Sequence, residues 1–211
     1  MTDESPILAG LGDARSVLVL ADGLSPTRDA VCESLLTRAP SDQLHAVAVT
    51  YNRSADEWID HLESAIGGSP RSLRVVDTGG DDSAPGVLAE APDDLTGIEI
   101  AVTDDLPYPD GTTVVCFDSL TALLQYVDRN RAYRFLHALV ERLWTAGAYA
   151  HFHMDPGAHD PETVVTLAAL FDAVVATDPG TAPADVDTTV SLDGEELAVS
   201  RRPRFEPEGN A

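Results

Sequence analysis

Two histidines and an aspartate alternate in one short segment, at His151, His153 and Asp155, and His159 follows four residues later. Alternate residues of a β-strand share one face, so both histidines can point the same way. Imidazole and carboxylate groups are zinc ligands, which makes this segment a candidate metal site. The alternative is a set of polar residues at the exposed carboxyl end of a strand. We favour that alternative and predict no bound metal and no other cofactor.

Asp118 and Ser119 form a second candidate site, because they directly follow the apolar residues 113–117. A segment that is apolar at every position is typical of a parallel strand buried on both faces. Open α/β sheets bind their ligands beyond the carboxyl ends of such strands. Asp118 can therefore coordinate a magnesium-bound water, or it can cap the helix that follows. We favour the cap, a role that suits either residue.

A strand, a turn-rich loop and a helix start follow one another at residues 16–21, 22–26 and 27–38, which is the setting of a phosphate loop. The sequence therefore predicts a pocket shared between this loop and the end of the later strand. The residues assigned to this pocket are Asp22, Gly23, Ser25, Thr27, Arg28, Asp118 and Ser119.

Strands and helices alternate along most of the chain, which predicts an α/β fold with a mostly parallel sheet and helices on both faces. Residues 112–155 have the size of one βαβ unit, with a helix over 120–144. Residues 95–102 fit either a strand or a short helix. Asp193 and Gly194 are flanked by two strand-like segments and predict a C-terminal β-hairpin.

The predicted domain organisation is simple. We expect a flexible N-terminal arm over residues 1–14, a single domain over 15–204 and a flexible tail over 205–211.

Several of these segments resemble the RecA superfamily, and most closely its KaiC-like branch. Residues 114–124, Val-Val-Cys-Phe-Asp-Ser-Leu-Thr-Ala-Leu-Leu, are similar to the Walker B strand of that branch and its continuation. Residues 134–147 look like the helix and turn that follow it. Within the branch, residues 118–127 and 151–160 are similar to a haloarchaeal family of uncharacterised KaiC- or RecA-like proteins. The resemblance covers about residues 17–204 and implies a P-loop NTPase-like three-layer sandwich.

The chain departs from that family at the positions that carry its chemistry. An active P-loop needs a lysine on the phosphates and a Ser or Thr on magnesium. Thr27 and Arg28 stand at these two positions, Pro26 replaces a glycine amide, and the chain contains no lysine. Residues 51–53, Tyr-Asn-Arg, stand where KaiC-like ATPases carry catalytic glutamates. The resemblance thus implies a degenerate Walker A motif and a vestigial nucleotide pocket.

The chain is strongly acidic, with 36 Asp and Glu against 13 Lys and Arg and a formal net charge of −23. These acids are spread along the whole chain, which favours adaptation to a salt-rich cytoplasm over an acidic interaction tail. Roughly 1 M salt shortens the screening length to ~3 Å and so suppresses the repulsion among them. Such a charge argues against nucleic acid as a partner.

The two cysteines, Cys32 and Cys116, each lie in an apolar periodic segment. This setting predicts buried free thiols in a reducing cytoplasm rather than a disulfide or a metal site. The sequence has neither a signal peptide nor an apolar run of 18 residues, so we expect a cytoplasmic protein with no membrane partner.

Two groups of arginines are candidates for an interface with a protein partner or a second copy of the chain. Otherwise the first group is a solvated helix face and the second a fraying edge. The groups are Arg129, Arg131 and Arg134, and Arg201, Arg202 and Arg204.

We therefore expect a non-catalytic RecA/KaiC-like regulatory or protein-interaction domain that has lost ATPase chemistry. One alternative is a nucleotide sensor or weak ATPase that uses unusual contacts, such as Arg28. A second alternative is a metal-dependent hydrolase, because His-x-His-x-Asp opens the zinc motif of metallo-β-lactamase-like enzymes. That motif needs a histidine directly after the aspartate, where this chain has Pro156.

Overall fold

A computed structural model describes residues 5–80, 85–182 and 186–202. The strands in these residues are β1 Ser16–Leu20, β2 Leu44–Thr50, β3 Ser72–Asp77, β4 Val87–Ala89, β5 Thr112–Asp118, β6 Tyr149–Met154, β7 Ala173–Ala176, β8 Thr188–Leu192 and β9 Glu195–Arg201. The helices are α1 Pro6–Leu11, α2 Pro26–Leu36, α3 Ala55–Ile66, α4 Leu95–Thr103, α5 Leu120–Tyr126, α6 Arg129–Thr145 and α7 Pro161–Ala168.

The described strands form one mixed sheet in the order β4-β3-β2-β5-β6-β1-β7-β9-β8. The first seven strands of this order pair in parallel, whereas β9 runs antiparallel to β7 and to β8. The α/β prediction with a mostly parallel sheet is therefore confirmed. The carboxyl ends of β1, β5 and β6 lie side by side in the middle of the sheet.

Hydrophobic residues pack against both faces of the sheet. On one face, α4, α6 and α7 cover Phe117 and Phe152 in a continuous core. On the other face, α1, α2 and α3 pack over the remaining strand side chains, with Trp58 only 1% exposed. Because α2 belongs to this second layer, its inward residues contact strand residues that point away from Phe117.

The expected flexible N-terminal arm is wrong for residues 6–11, which form α1. Both Ile7 and Leu11 are fully buried, and they belong to a hydrophobic cluster that also contains residues of α2, β1, β7 and β9. A side chain buried in this way stabilises the fold by roughly 1.5–3 kcal/mol, enough to hold so short a helix in place. Residues 1–4 of the predicted arm and the whole predicted tail, 205–211, lie outside the described residues.

The prediction of one helix over residues 120–144 is also corrected, because the structure has two helices there. α5 ends at Tyr126, and α6 begins after Asp128, whose carboxylate accepts a hydrogen bond from the Arg131 amide at 3.0 Å. Residues 95–102 belong to the helix α4, and the short strand β4 precedes this helix.

The C-terminal hairpin is confirmed. Asp193 and Gly194 connect β8 to β9 with φ values of 51° and 88°. Two consecutive positive φ angles give the turn that matches strand twist, and Asp-Gly is a preferred sequence for it. None of the described helices is long and apolar enough to cross a membrane.

Candidate functional site

A cavity of about 740 Å³ opens at the carboxyl edge of the sheet, beside the start of α2. Four residues of the predicted pocket, Gly23, Arg28, Asp118 and Ser119, contribute to its lining. The other three lie outside that lining: Asp22, Ser25 and Thr27. The Asp22 carboxylate accepts a hydrogen bond from the Leu24 amide at 2.9 Å, and Ser25 is the first residue before α2. The predicted pocket residues are thus brought together only in part.

The centre of the site is an ion pair between Arg28 and Asp118. The guanidinium donates a hydrogen bond to the Asp118 carboxylate, and the two side chains are 9% and 10% exposed. Arg28 also contacts Asp29 at 3.2 Å, and Arg53 contacts the same Asp29 oxygen at 3.2 Å. Burial acts to lower the pKa of Arg28, but the Asp118 carboxylate outweighs burial and raises it. Arg28 is therefore a permanent cation in this position.

The helix cap is Ser119 and not Asp118. The Ser119 hydroxyl accepts a hydrogen bond from the Ala122 amide at 3.3 Å, at the start of α5. The cap interpretation of Asp118 is corrected accordingly, because its carboxylate faces α2 and pairs with Arg28.

Residues 51–53, which the sequence resemblance matched to the position of catalytic glutamates, contribute an aromatic ring and a cation. The Tyr51 hydroxyl donates a hydrogen bond to the Pro92 carbonyl at 3.1 Å, and its ring lies 5.8 Å from that of Phe117. Burial raises the pKa of Tyr51. Asn52 and Arg53 line the cavity. Tyr51 therefore serves packing here and cannot act as a general base near neutral pH.

A second polar cluster lies next to the ion pair and consists of Cys32, Cys116, His151 and His153. The candidate ligand atoms of the four residues all lie within 4.8 Å of one another. Cys32 Sγ is 4.0 Å from Cys116 Sγ and 3.4 Å from His151 Nε2. The two cysteines are buried and free, as predicted. The sequence did not predict that they join the two histidines.

Strand register explains how this cluster forms. Cys116 on β5 and His151 on β6 are direct partners in the parallel pairing, so their side chains share a face. His153 is two residues further along β6 and points to the same face. Cys32 on α2 packs onto this face from above. The local signal was the His-x-His spacing, but no sequence signal links it to Cys32.

Burial and contact shift the pKa values within the cluster. The hydrogen bond with Cys116, together with burial, raises the pKa of Cys32. The same hydrogen bond with Cys32 lowers the pKa of Cys116. Burial lowers the pKa of His153, which keeps its ring neutral at neutral pH.

The remaining candidate ligands do not join the two histidines. The Asp155 carboxylate accepts a hydrogen bond from the Gly157 amide at 2.8 Å, and His159 Nε2 contacts Thr121 Oγ1 at 3.2 Å. Burial lowers the pKa of His159. Among the described residues, Asp155 and His159 belong to no group of three or more possible metal ligands. The geometry therefore does not supply the His-x-His-x-Asp hydrolase site.

The first arginine group contacts its own chain. Arg129 pairs with Glu162 at 3.1 Å, Arg131 reaches the Asp93 carbonyl at 3.5 Å, and Arg134 reaches the Asn130 carbonyl at 3.4 Å.

In the second group, the described contacts are made by backbone amides. The Arg201 amide donates to the Asp187 carboxylate, and the Arg202 amide donates to the Asp172 carbonyl at 2.7 Å. Arg204 lies outside the described residues. An interface at either arginine group stays a prediction.

Comparison with known families assigns the chain. A family of unknown function, DUF7504, matches residues 14–177. The chain belongs to this family. No curated protein matches it.

Solved archaeal structures share the fold of this family member. The uncharacterised protein PH0321 from Pyrococcus horikoshii, solved with an unknown peptide, has a TM-score of 0.57 at 13% identity, covering 94% of this chain and 99% of that one. The flagellar accessory protein FlaH from Methanocaldococcus jannaschii has a TM-score of 0.55 at 10% identity, covering 95% and 85%. PH0250 from Pyrococcus horikoshii OT3 has a TM-score of 0.52 at 14% identity, covering 79% and 83%. These likenesses confirm the RecA/KaiC-like α/β fold.

Proposed function

We propose that this chain is a regulatory or protein-interaction domain of RecA/KaiC-like fold that has lost ATPase chemistry and works in a salt-adapted cytoplasm. The observation that carries the proposal is the buried ion pair between Arg28 and Asp118.

The ion pair lies where a P-loop ATPase would hold magnesium. An ATPase of this class neutralises its developing charge with a P-loop lysine and with magnesium held by the Walker A hydroxyl and the Walker B aspartate. Here a guanidinium of the same chain already occupies the Asp118 carboxylate, and the chain has no lysine to replace it. Magnesium could reach Asp118 only by displacing Arg28, which would leave that guanidinium without its Asp118 partner.

Partner binding is supported at the mouth of the cavity. Leu24 lies in the cavity lining and is 94% exposed, which leaves a large apolar side chain in solvent. We take this side chain as the contact point of the proposed partner. The fold neighbour PH0321 was crystallised with a peptide, which favours the same class of partner for this chain.

A nucleotide sensor is the second candidate, and the cavity is the observation that favours it. Its volume of about 740 Å³ falls within the range of small-molecule sites, roughly 300–1,000 Å³. Arg28 and Arg53 both line it, and guanidinium groups bind phosphates well. Both arginines are already paired with carboxylates, which is why we rank this function second.

ATP turnover tests whether ATPase chemistry has been lost. We expect no phosphate release above the buffer rate with magnesium and ATP in molar potassium chloride. Asp118→Ala should give the same baseline. Turnover by the wild type that disappears in Asp118→Ala would overturn the proposal in favour of an enzyme.

A capture experiment tests whether the chain binds a protein partner at the mouth of the cavity. Leu24→Asp should abolish retention of a partner identified by crosslinking in extracts at high salt. Val165→Asp is the matched control, because Val165 on α7 is also exposed, at 46%, but lies outside the cavity lining. Equal retention by both variants would contradict binding at the cavity mouth.

A further inference from the structure

We infer that Cys32, Cys116, His151 and His153 form a buried tetrahedral site for one zinc ion. The inference is independent of the proposed function, because these four residues lie below the ion pair and nucleotide binding does not enter the argument. The sequence alone predicted free thiols and no metal.

Two distances within the cluster are close to those of a zinc site, and all four ligand atoms lie within 4.8 Å of one another. Zinc bonds of about 2.3 Å to sulfur and 2.0–2.1 Å to nitrogen place the ligand atoms of a tetrahedron about 3.3–3.8 Å apart. The observed separations are 4.0 Å between the two sulfurs and 3.4 Å between Cys32 Sγ and His151 Nε2. A movement of a few tenths of an ångström brings the sulfurs to the ideal value. Two cysteines and two histidines are also a common structural zinc set.

His153 is the observation that points to a ligand rather than to a closed core. His153 is 2% exposed, and neither of its ring nitrogens has a hydrogen-bond partner among the described residues. Burial lowers the pKa of His153 and the nearby Cys116 thiol acts in the opposite direction, but this thiol does not reach hydrogen-bond geometry with either ring nitrogen. Buried imidazole nitrogens are normally satisfied, so this ring needs a partner that protein atoms do not supply. A metal ion provides that partner for one of the two ring nitrogens.

Charge favours zinc in this buried place. Binding replaces one proton on each thiol, so one Zn²⁺ enters and two protons leave. The product, Zn²⁺ with two thiolates and two neutral imidazoles, has no net charge and adds no unpaired charge to the core. The neighbouring ion pair, Arg28 with Asp118, is neutral as well. His153 also lines the cavity, which gives the ion a path to the site.

The role of the site is structural. Four protein ligands fill the tetrahedron and leave no position for water or substrate, unlike a catalytic zinc with three protein ligands. The ion joins α2 to β5 and β6, since Cys32 comes from the helix and the other three ligands come from the strands. It therefore fixes the layer that positions Arg28 opposite Asp118.

Metal analysis of the full-length protein is the first test. The chain is expressed without a histidine tag in zinc-supplemented medium, and purified with a thiol reductant in molar potassium chloride without chelators. We expect elemental mass spectrometry to find about one zinc ion per chain. Cys32→Ser and Cys116→Ser should each lose most of it, whereas His137→Asn, a histidine outside the cluster, should retain it.

Cobalt substitution provides a second readout that does not depend on variants folding. Co²⁺ added to the metal-free wild type should give the visible absorption of tetrahedral cobalt together with thiolate charge transfer. Zinc far below one per chain, with no cobalt spectrum, would overturn the site. So would a disulfide between Cys32 and Cys116 in the protein as purified without reductant, or stoichiometric copper in place of zinc.

Discussion

Two neighbouring contacts between α2 and β5 differ in whether the polar groups around them are satisfied. Arg28 and Cys32 are four residues apart on the helix and share its inner face. Asp118 and Cys116 are two residues apart on the strand and share its face toward the helix. The outer pair, Arg28 with Asp118, is complete in itself. The inner pair, Cys32 with Cys116, lies beside a histidine with two unsatisfied nitrogens.

The difference shows which part of the site needs a ligand. A buried carboxylate that already accepts from a guanidinium gains little from magnesium, and a nucleotide would have to break that pair first. A buried imidazole without a partner gains from any ion that its neighbours can help to hold. The edge of the sheet where open α/β folds bind their ligands is thus the satisfied region. The unsatisfied region lies one layer deeper.

The largest effect should come from breaking the outer pair. Arg28→Met leaves the Asp118 carboxylate buried and unpaired, so we expect the free energy of unfolding to fall by about 3–5 kcal/mol. Denaturant titration in high salt measures this loss. The double variant Arg28→Met with Asp118→Leu should recover much of it, because an apolar pair needs no compensation. A loss below about 1 kcal/mol is typical of an exposed salt bridge. It would contradict the conclusion that the Arg28–Asp118 pair stabilises the fold as a buried pair.

Zinc should have the next largest effect, through the inner cluster. At free zinc 100-fold above its dissociation constant, the wild type should gain about 2.7 kcal/mol of unfolding free energy. Cys116→Ala should gain nothing under the same conditions. Equal responses of the two proteins would show that zinc binds elsewhere, for instance among surface carboxylates.

A smaller effect is expected at Asp29, which contacts both Arg28 and Arg53 at 3.2 Å. Its side chain is 45% exposed, so solvent screens the contact. Asp29→Asn should change the unfolding free energy by about 0.2–1 kcal/mol, less than any variant of the buried pair. A loss as large as that of Arg28→Met would mean that Asp29, and not Asp118, holds the guanidinium.

The smallest effect is a pH dependence at Glu57, a fully exposed acid of the cavity lining. Hydrogen bonds from the Ser54 amide at 3.1 Å and hydroxyl at 3.0 Å hold the pKa of Glu57 below its ordinary value. A lowered folded-state pKa adds stability at neutral pH, and this contribution is lost as the pH falls through that pKa. Glu57→Gln should therefore show a shallower acid side in its stability profile. An unchanged profile would contradict this assignment.

The sequence predicted the sheet better than it predicted the clusters. Apolar segments and the Asp-Gly turn located β5, β6 and the hairpin, because these signals are local. The helix Pro6–Leu11 was missed because six residues are too few to show helical periodicity. The cluster was missed because Cys32 and His151 are 119 residues apart, and the rotation of α2 that joins them is set by packing.

The candidate pocket illustrates the same limit. Arg28 and Asp118 were named from the resemblance to a P-loop site, but their direct pairing depends on side-chain geometry across 90 residues of sequence. Ser119 was correctly considered as a cap because that role is local. Sequence patterns therefore located the edge of the sheet, and the structure decided how its charges are compensated.

One calorimetric comparison tests the central claim most directly. Metal-free wild type in molar potassium chloride with reductant is titrated first with Zn²⁺ and then, in a second sample, with ATP and magnesium. We predict saturable heat for zinc at about one ion per chain and no binding heat for nucleotide at millimolar concentration. Micromolar nucleotide binding that is lost in Arg28→Ala and Asp118→Ala, with no zinc binding, would contradict the account.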